Sequence, residues 1–253
     1  NVGLLNANPM LLVVEELTES IEPNPIRRDI SLKSMQEFLK NVSHPLDRAI
    51  IITLLKTGMR VGELCNLDLR DLNLADVDVS STYSVKPRGA IGDRPGTLYI
   101  SKDPARGEIY NEELRTASNK RKRSTMVPID AELHHNLKVW LSVRPDALSP
   151  AQPVFLSTAK WGCRITPSIV RSRLLRYTKN TGWHVPGAGA EENVTPHYFR
   201  HFFTTNLRNE TGDRGVVKYL RGDVADDIIE TYTHNWGDRV RSVYEKNIYS
   251  LLI

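Results

Sequence analysis

Five side chains scattered along the sequence have the types needed to move a phosphoryl group: Arg60, Lys120, His197, Arg200 and Tyr232. Two arginines can each grip non-bridging phosphate oxygens bidentately and neutralise the charge that builds in a pentacoordinate transition state. A tyrosine hydroxyl can attack phosphorus and hold it as a covalent phosphotyrosine. A histidine can accept or orient the hydroxyl proton, and a lysine ammonium can protonate the departing oxygen. Each residue also has a plainer reading. A His and an Arg three apart make an ordinary polar helix flank, and Arg60 can cap a helix or pair with Glu63. A basic hairpin can be a solvated tip, with Lys122 a close rival to Lys120. Tyr244 and Tyr249 compete with Tyr232, since a tyrosine at helical spacing is usually a core residue.

The elements that must carry these residues are legible from punctuation and periodicity. The stretch from Thr195 to Tyr232 opens on Thr-Pro, a helix-start signal, and puts His197 and Arg200 on one face. Phe199, Phe202, Phe203 and Leu207 supply the buried side of that helix. Upstream, the pattern predicts helices over Ser31–Leu39 and Leu46–Lys56. The second stops at Thr57-Gly58, and a third starts at Met59 with Arg60 at its beginning. Asp71–Asp78 leads into a strand, Ser80–Gly96 reads as a long surface loop, and Thr97–Ser101 as a β run. Glu112–Ile129 reads as a hairpin with the basic knot Lys120 to Arg123 near its tip, ahead of a helix capped by Asp130. Val154–Leu156 reads as a short strand, Pro167–Lys179 as a basic helix and Gly182–Ala190 as a loop. Three short helices follow the His197 helix, ending near Lys246.

Bulk properties narrow the class. In 253 residues, 40% are hydrophobic and 25% charged, which is ordinary for a globular protein with a real core. No apolar run approaches the roughly 18–20 residues of a membrane span. Cys65 and Cys163 are the two cysteines, and their lack of paired spacing argues against a zinc module or disulfide scaffold and suits a reducing cytoplasm. The net charge of +4 is small, so its distribution carries more weight. Lys122 and Arg123 in the knot, and Arg171, Arg173, Arg176 and Lys179 on one helix, are candidates for phosphate-backbone or groove contact with DNA.

Taken in order, the pieces resemble the tyrosine recombinase (phage integrase) family. TGMRVGEL is similar to the family's first-arginine box, with Arg60 and Glu63 in their places. HYFRHFFTTNL is similar to its His-x-x-Arg box, with His201 as the frequent histidine after the arginine, and Tyr232-Thr233-His234 to its nucleophile box. The separations of Arg200, Asp223 and Tyr232 also match the family's. One position departs: Arg221-Gly222-Asp223 stands where the family usually has Leu-Gly-His. An ionised aspartate cannot donate a hydrogen bond to phosphate and repels it. Either its pKa is raised, or it orients Arg221 or Arg200, or the enzyme is slow.

The resemblance implies a mainly α fold with a small antiparallel β-sheet. Residues 28–253 would be the catalytic domain, with 1–27 a linker or the end of a preceding domain. It implies a site-specific DNA recombinase that needs neither metal nor other cofactor and acts on double-stranded DNA in the cytoplasm, and Arg221-Gly222-Asp223 resembles archaeal members of the family. It further implies a DNA-bound homotetramer in which the apolar tail 247–253 docks on a neighbouring subunit; the alternative is a tail folded back on its own domain. Type IB topoisomerase-like relaxation and a catalytically weak DNA-binding regulator are the competing functions.

Overall fold

The computed structural model describes residues 27–77, 79–223 and 236–253. Ser31 caps helix α1 (Leu32–Lys40) by accepting a hydrogen bond from the Ser34 backbone, and Met35, Phe38 and Leu39 are buried. Helix α2 (Pro45–Thr57) is apolar on nearly every side, and Ala49, Ile50, Ile51, Ile52, Leu54 and Leu55 are all buried. A helix with this pattern must be covered all round, and α2 is the centre of the core. It ends at Gly58 in the left-handed region (φ 61°). A Cβ there would meet the Phe203 ring at 2.2 Å, so the turn that leads to Arg60 requires glycine twice over.

After α3 (Val61–Cys65) come a 3-10 turn and a two-residue strand, β1 (Leu72–Asn73). The stretch 80–96 is not the plain loop that its Gly, Pro and Ser content predicts. It contains α4 (Val79–Tyr83) and a 3-10 turn at Gly89–Ile91. Tertiary docking overrides composition here: Val79 is buried and the Tyr83 hydroxyl donates to the Leu141 carbonyl at 2.8 Å.

The predicted hairpin over 112–129 is also corrected. Strand β2 (Thr97–Ile100) lies between β1 and β5 (Thr125–Pro128), all antiparallel, with Leu98 opposite Val127. A separate small hairpin pairs β3 (Ile109–Tyr110) with β4 (Glu113–Leu114) inside the β2–β5 excursion. A buried ionic cluster anchors that excursion. Asp68 accepts from Arg115 at 2.7 Å and Arg164 at 2.6 Å, Arg164 also reaches Glu113, and the Asn66 amide donates to the Ala117 carbonyl. Removing one member of such a cluster strands a buried charge, so it fixes the path of the segment ahead of Lys120.

Asp130 caps α5 (Ala131–Val143) as the sequence predicts. The predicted strand at 154–156 forms only isolated bridges, between Asp68 and Pro153 and between Leu156 and Arg164. Helices α6 (Pro167–Asn180), α7 (Pro196–Thr211), α8 (Arg214–Arg221) and α9 (Trp236–Asn247) complete the described elements. The fold is therefore mainly α with small antiparallel sheets, as expected. No described helix is long and apolar enough to cross a membrane.

The tail packs on its own domain, the second of the two arrangements the sequence leaves open. Tyr249 stacks edge-to-face on Phe202, and its hydroxyl donates to the Leu55 carbonyl. Buried Lys56 donates to the Tyr249 carbonyl and pairs with Asp130 and Glu132, and Glu132 accepts the Leu251 N–H. Leu251 is fully buried. A protein ending at Asn247 should lose about 3–5 kcal/mol of stability, since it removes the buried side chains of Tyr249 and Leu251, uncovers the core they pack on and leaves Glu132 short of donors. An unchanged thermal midpoint for that variant would contradict docking in cis.

Candidate active site

Arg60 leads into α3 with extended backbone, and its N–H donates to Glu63 Oε2 at 2.8 Å. Its Nη1 donates to the other Glu63 oxygen at 3.2 Å, so pairing with Glu63 and facing the site are compatible. Glu63 is fully buried and also faces Arg121 Nε at 3.1 Å. Arg121, in the basic knot, reaches the Leu220 carbonyl at 3.0 Å as well. It is thus a positioning residue that ties the segment leading into β5 to α8 and, through Glu63, to Arg60. Sequence reading misses it because it looks like one more cation in a basic run.

Arg200 comes from the first turns of α7 and is only 2% exposed. Its Nη1 donates to the carbonyls of Gly58 (2.6 Å) and Arg221 (3.0 Å), and its Nη2 to both oxygens of Asp223 (2.9 and 3.0 Å). Burial first, and then the nearby Arg60 charge, pull its pKa down to about 10, which still leaves it cationic at neutral pH. Asp223 also accepts from Arg60 Nη2 at 3.0 Å and forms an ion pair with Arg221, whose Nε lies 2.8 Å from Oδ2. Of the three readings open for this aspartate, orientation of the arginines is the one the contacts support.

Beside this cluster opens a cleft of about 790 Å³ whose lining includes Arg60, Arg106, Lys120, Arg171 and His197, with no carboxylate among the lining residues. Lys120 lines it and Lys122 does not. Partial burial, followed by the charges of Arg27, Arg200, Arg60 and Arg221, holds the His197 pKa below its ordinary value, so the ring is neutral at pH 7 and can take a proton. Burial, with Arg27 and Arg221, depresses His201 in the same direction. Arg106 is a lining residue that the sequence gives no signal for, since nothing local separates it from any other loop arginine.

The basic helix divides. Arg171 is exposed and lines the cleft; Arg176 and Lys179 are exposed outside it. Arg173 is not free for DNA. It pairs with buried Asp47, donates to Thr158 Oγ1 at 2.9 Å, and shares Asp47 with the Tyr177 hydroxyl. A buried aspartate far away in sequence needs a cation, and that demand overrides the helix's basic face. Arg123 lies over the Tyr219 ring, 5.5 Å from its centroid. Tyr232 and His234 lie outside the described residues. The rival tyrosines are core: Tyr244 and Tyr249 donate to the carbonyls of Lys56 and Leu55, and burial pushes both hydroxyls well above the ordinary tyrosine pKa. Neither is a nucleophile in this arrangement.

A helical domain with a small antiparallel sheet carries two convergent arginines at the edge of a basic cleft, an arrangement whose charge suits a polyanion. The chain belongs to the phage integrase family, whose model matches residues 106–238, just over half of the chain, and spans every candidate site residue except Arg60. Among its relatives, the tyrosine recombinase XerC of Pelotomaculum thermopropionicum is 26% identical over 252 residues, covering 96% of this chain and 68% of the relative. XerC of Corynebacterium glutamicum is 25% identical, covering 83% and 52%. The chain therefore spans between about half and two thirds of these relatives' length. Among solved structures, the Tn1549 transposon integrase in complex with transposon right end DNA has a TM-score of 0.59 at 18% identity, covering 96% of this chain and 72% of that one. A lambda integrase dimer bound to a COC′ core site has a TM-score of 0.53 at 15% identity, covering 83% and 63%. At these identities the structures speak for the fold.

Proposed function

We propose that this domain is a site-specific DNA recombinase that cuts and rejoins double-stranded DNA through a 3′-phosphotyrosyl intermediate. The observation that carries the reading is the meeting of Arg60 Nη2 and Arg200 Nη2 on one anionic oxygen at the edge of the basic cleft. Two guanidinium groups from separate segments converging on a single oxygen form a preorganised seat for the charge of a phosphorane. Tyr232 attacks phosphorus and its proton passes to His197; the bond to the 5′-oxygen breaks as Lys120 protonates it. The phosphotyrosyl bond conserves the energy of the phosphodiester, so the free 5′-hydroxyl of another strand can reverse the step without ATP.

Arg106, Arg171, Arg176, Lys179 and Lys122 would hold neighbouring backbone phosphates, and the expected cost of each is a weaker, less salt-sensitive interaction rather than lost chemistry. Residues 28–253 act as the catalytic unit, on DNA in the cytoplasm. The XerC relatives and the DNA-bound integrases of like fold support double-stranded DNA as the partner. A homotetramer on DNA belongs to the same proposal.

Recombination and simple relaxation differ in their need for a site. DNA sites can be selected by the protein from a random duplex library and cloned in pairs into a supercoiled plasmid. Recombinant circles are expected from the paired-site plasmid, while a plasmid without sites keeps its superhelicity. Equal relaxation of both would point instead to topoisomerase-like activity.

A further inference from the structure

The carboxylate of Asp223 is the anion on which the two arginines meet. Its Oδ1 lies 3.0 Å from Arg60 Nη2 and 2.9 Å from Arg200 Nη2, while Oδ2 accepts from Arg200 Nη2 at 3.0 Å and is ion-paired with Arg221, Nε at 2.8 Å. A second donor on each of the two guanidinium groups is already committed. Arg200 Nη1 is bound to the carbonyls of Gly58 and Arg221, and Arg60 Nη1 to Glu63. Arg200 is 2% exposed, and its Nη2, the donor that meets Arg60 Nη2 on one oxygen, is held by Asp223.

We propose that Asp223 is an internal counter-anion that occupies the phosphate seat of the Arg60–Arg200 clamp and must leave it before a phosphodiester can enter. The inference rests on the reading of those arginines as phosphate ligands. It makes Asp223 a positioning residue: the carboxylate keeps like-charged guanidinium groups aimed at one point in the empty site, and its strength as a competitor sets the affinity of the clamp.

The local backbone defines how the seat is vacated. Asp223 follows Gly222, the left-handed cap of α8 (φ 71°), and its N–H donates to the Lys218 carbonyl at 3.1 Å. Gly222 itself is packed against Arg121, where a Cβ would meet Nη1 at 2.7 Å. With the main chain pinned on both counts, exchange of carboxylate for phosphate proceeds by rotation of the short Asp223 side chain. That side chain is 28% exposed, so it has solvent to rotate into. A phosphate oxygen makes the same charge-assisted hydrogen bonds as the carboxylate oxygen it replaces. The clamp then stays ordered throughout, and an isolated monoanion gains little by entering. A phosphate in a DNA backbone gains more, because the basic cleft holds its neighbours.

The test is inorganic phosphate binding by wild type and Asp223→Asn, followed by calorimetry at constant ionic strength. The asparagine keeps the shape and removes the charge. Loss of a charged competitor should tighten phosphate binding roughly tenfold or more. Asp223→Asn should also melt lower than wild type without phosphate and gain more from its addition. Adding Arg200→Lys to Asp223→Asn should abolish the gain, which locates the bound phosphate at the clamp. Asp223→Ser, also uncharged and smaller, is the second variant, with the same gain expected. A merely structural aspartate would change the melting point and leave phosphate affinity level or lower. Equal or weaker affinity in the folded neutral variants overturns the proposal while leaving the clamp reading intact. Failure of all the proteins to bind phosphate, the neutral single variants included, overturns both.

Discussion

Arg200→Lys is expected to slow the single-turnover formation of covalent protein–DNA adduct by about a hundred- to a thousandfold, the cost of losing one preorganised transition-state donor. Lysine keeps the charge, so the loss would come from geometry. Arg200 uses a planar fork in two directions at once: Nη1 is held by the Gly58 and Arg221 carbonyls while Nη2 faces the anion seat. An ammonium at the end of a flexible stem cannot do both, and with the side chain 2% exposed no water replaces the missing donors. DNA affinity should change far less than the rate, because most backbone phosphates are held elsewhere in the cleft. A rate within about fivefold of wild type would contradict the clamp. A melting curve on the same variant separates lost chemistry from lost fold.

Lys120→Ala is the second large effect, and it is expected to slow cleavage by about a hundred- to ten-thousandfold, the range for loss of a general acid. Its signature is specific. A substrate in which sulfur replaces the departing 5′-oxygen leaves as a thiolate and needs no proton, so the variant should cleave it at nearly the wild-type rate. Lys122→Ala, whose side chain lies outside the cleft, should leave cleavage of the ordinary substrate intact. If Lys122→Ala were the slow variant and the sulfur substrate rescued it, the two lysines would exchange roles. If the sulfur substrate rescued neither, the acid would be another group.

What could be read from the sequence, and what could not, follows from how far apart the cooperating residues lie. The buried face of α7, with Phe199, Phe202, Phe203 and Leu207, and the all-round apolar α2 follow from local periodicity, and the caps at Ser31, Gly58 and Asp130 follow from local chemistry. The partner of β5 is β2 rather than a strand next to it, because buried Leu98 and Val127 pair across a long excursion that no local pattern records. Arg173 reads as one cation of a basic helix, yet the deciding fact is buried Asp47, 126 residues earlier. Lys56 falls within an apolar run, and only its burial against Asp130, Glu132 and the tail explains it. Asp223 is a departure from the family pattern in sequence; in space it is the anion that three arginines share. Arg106 and Arg121 are visible only once the fold has brought them to the cleft and beneath it.

The most direct measurement is the attachment of the protein to DNA. A duplex selected by the protein can be nicked beside the scissile phosphate, so that cleavage releases a short fragment and the adduct cannot reverse. Mass spectrometry of the protease-treated adduct is expected to find the DNA 3′-phosphate on the peptide containing Tyr232, and Tyr232→Phe is expected to give no adduct. Absence of adduct from the wild-type protein on a duplex it binds, or attachment at a residue other than Tyr232, would contradict the account.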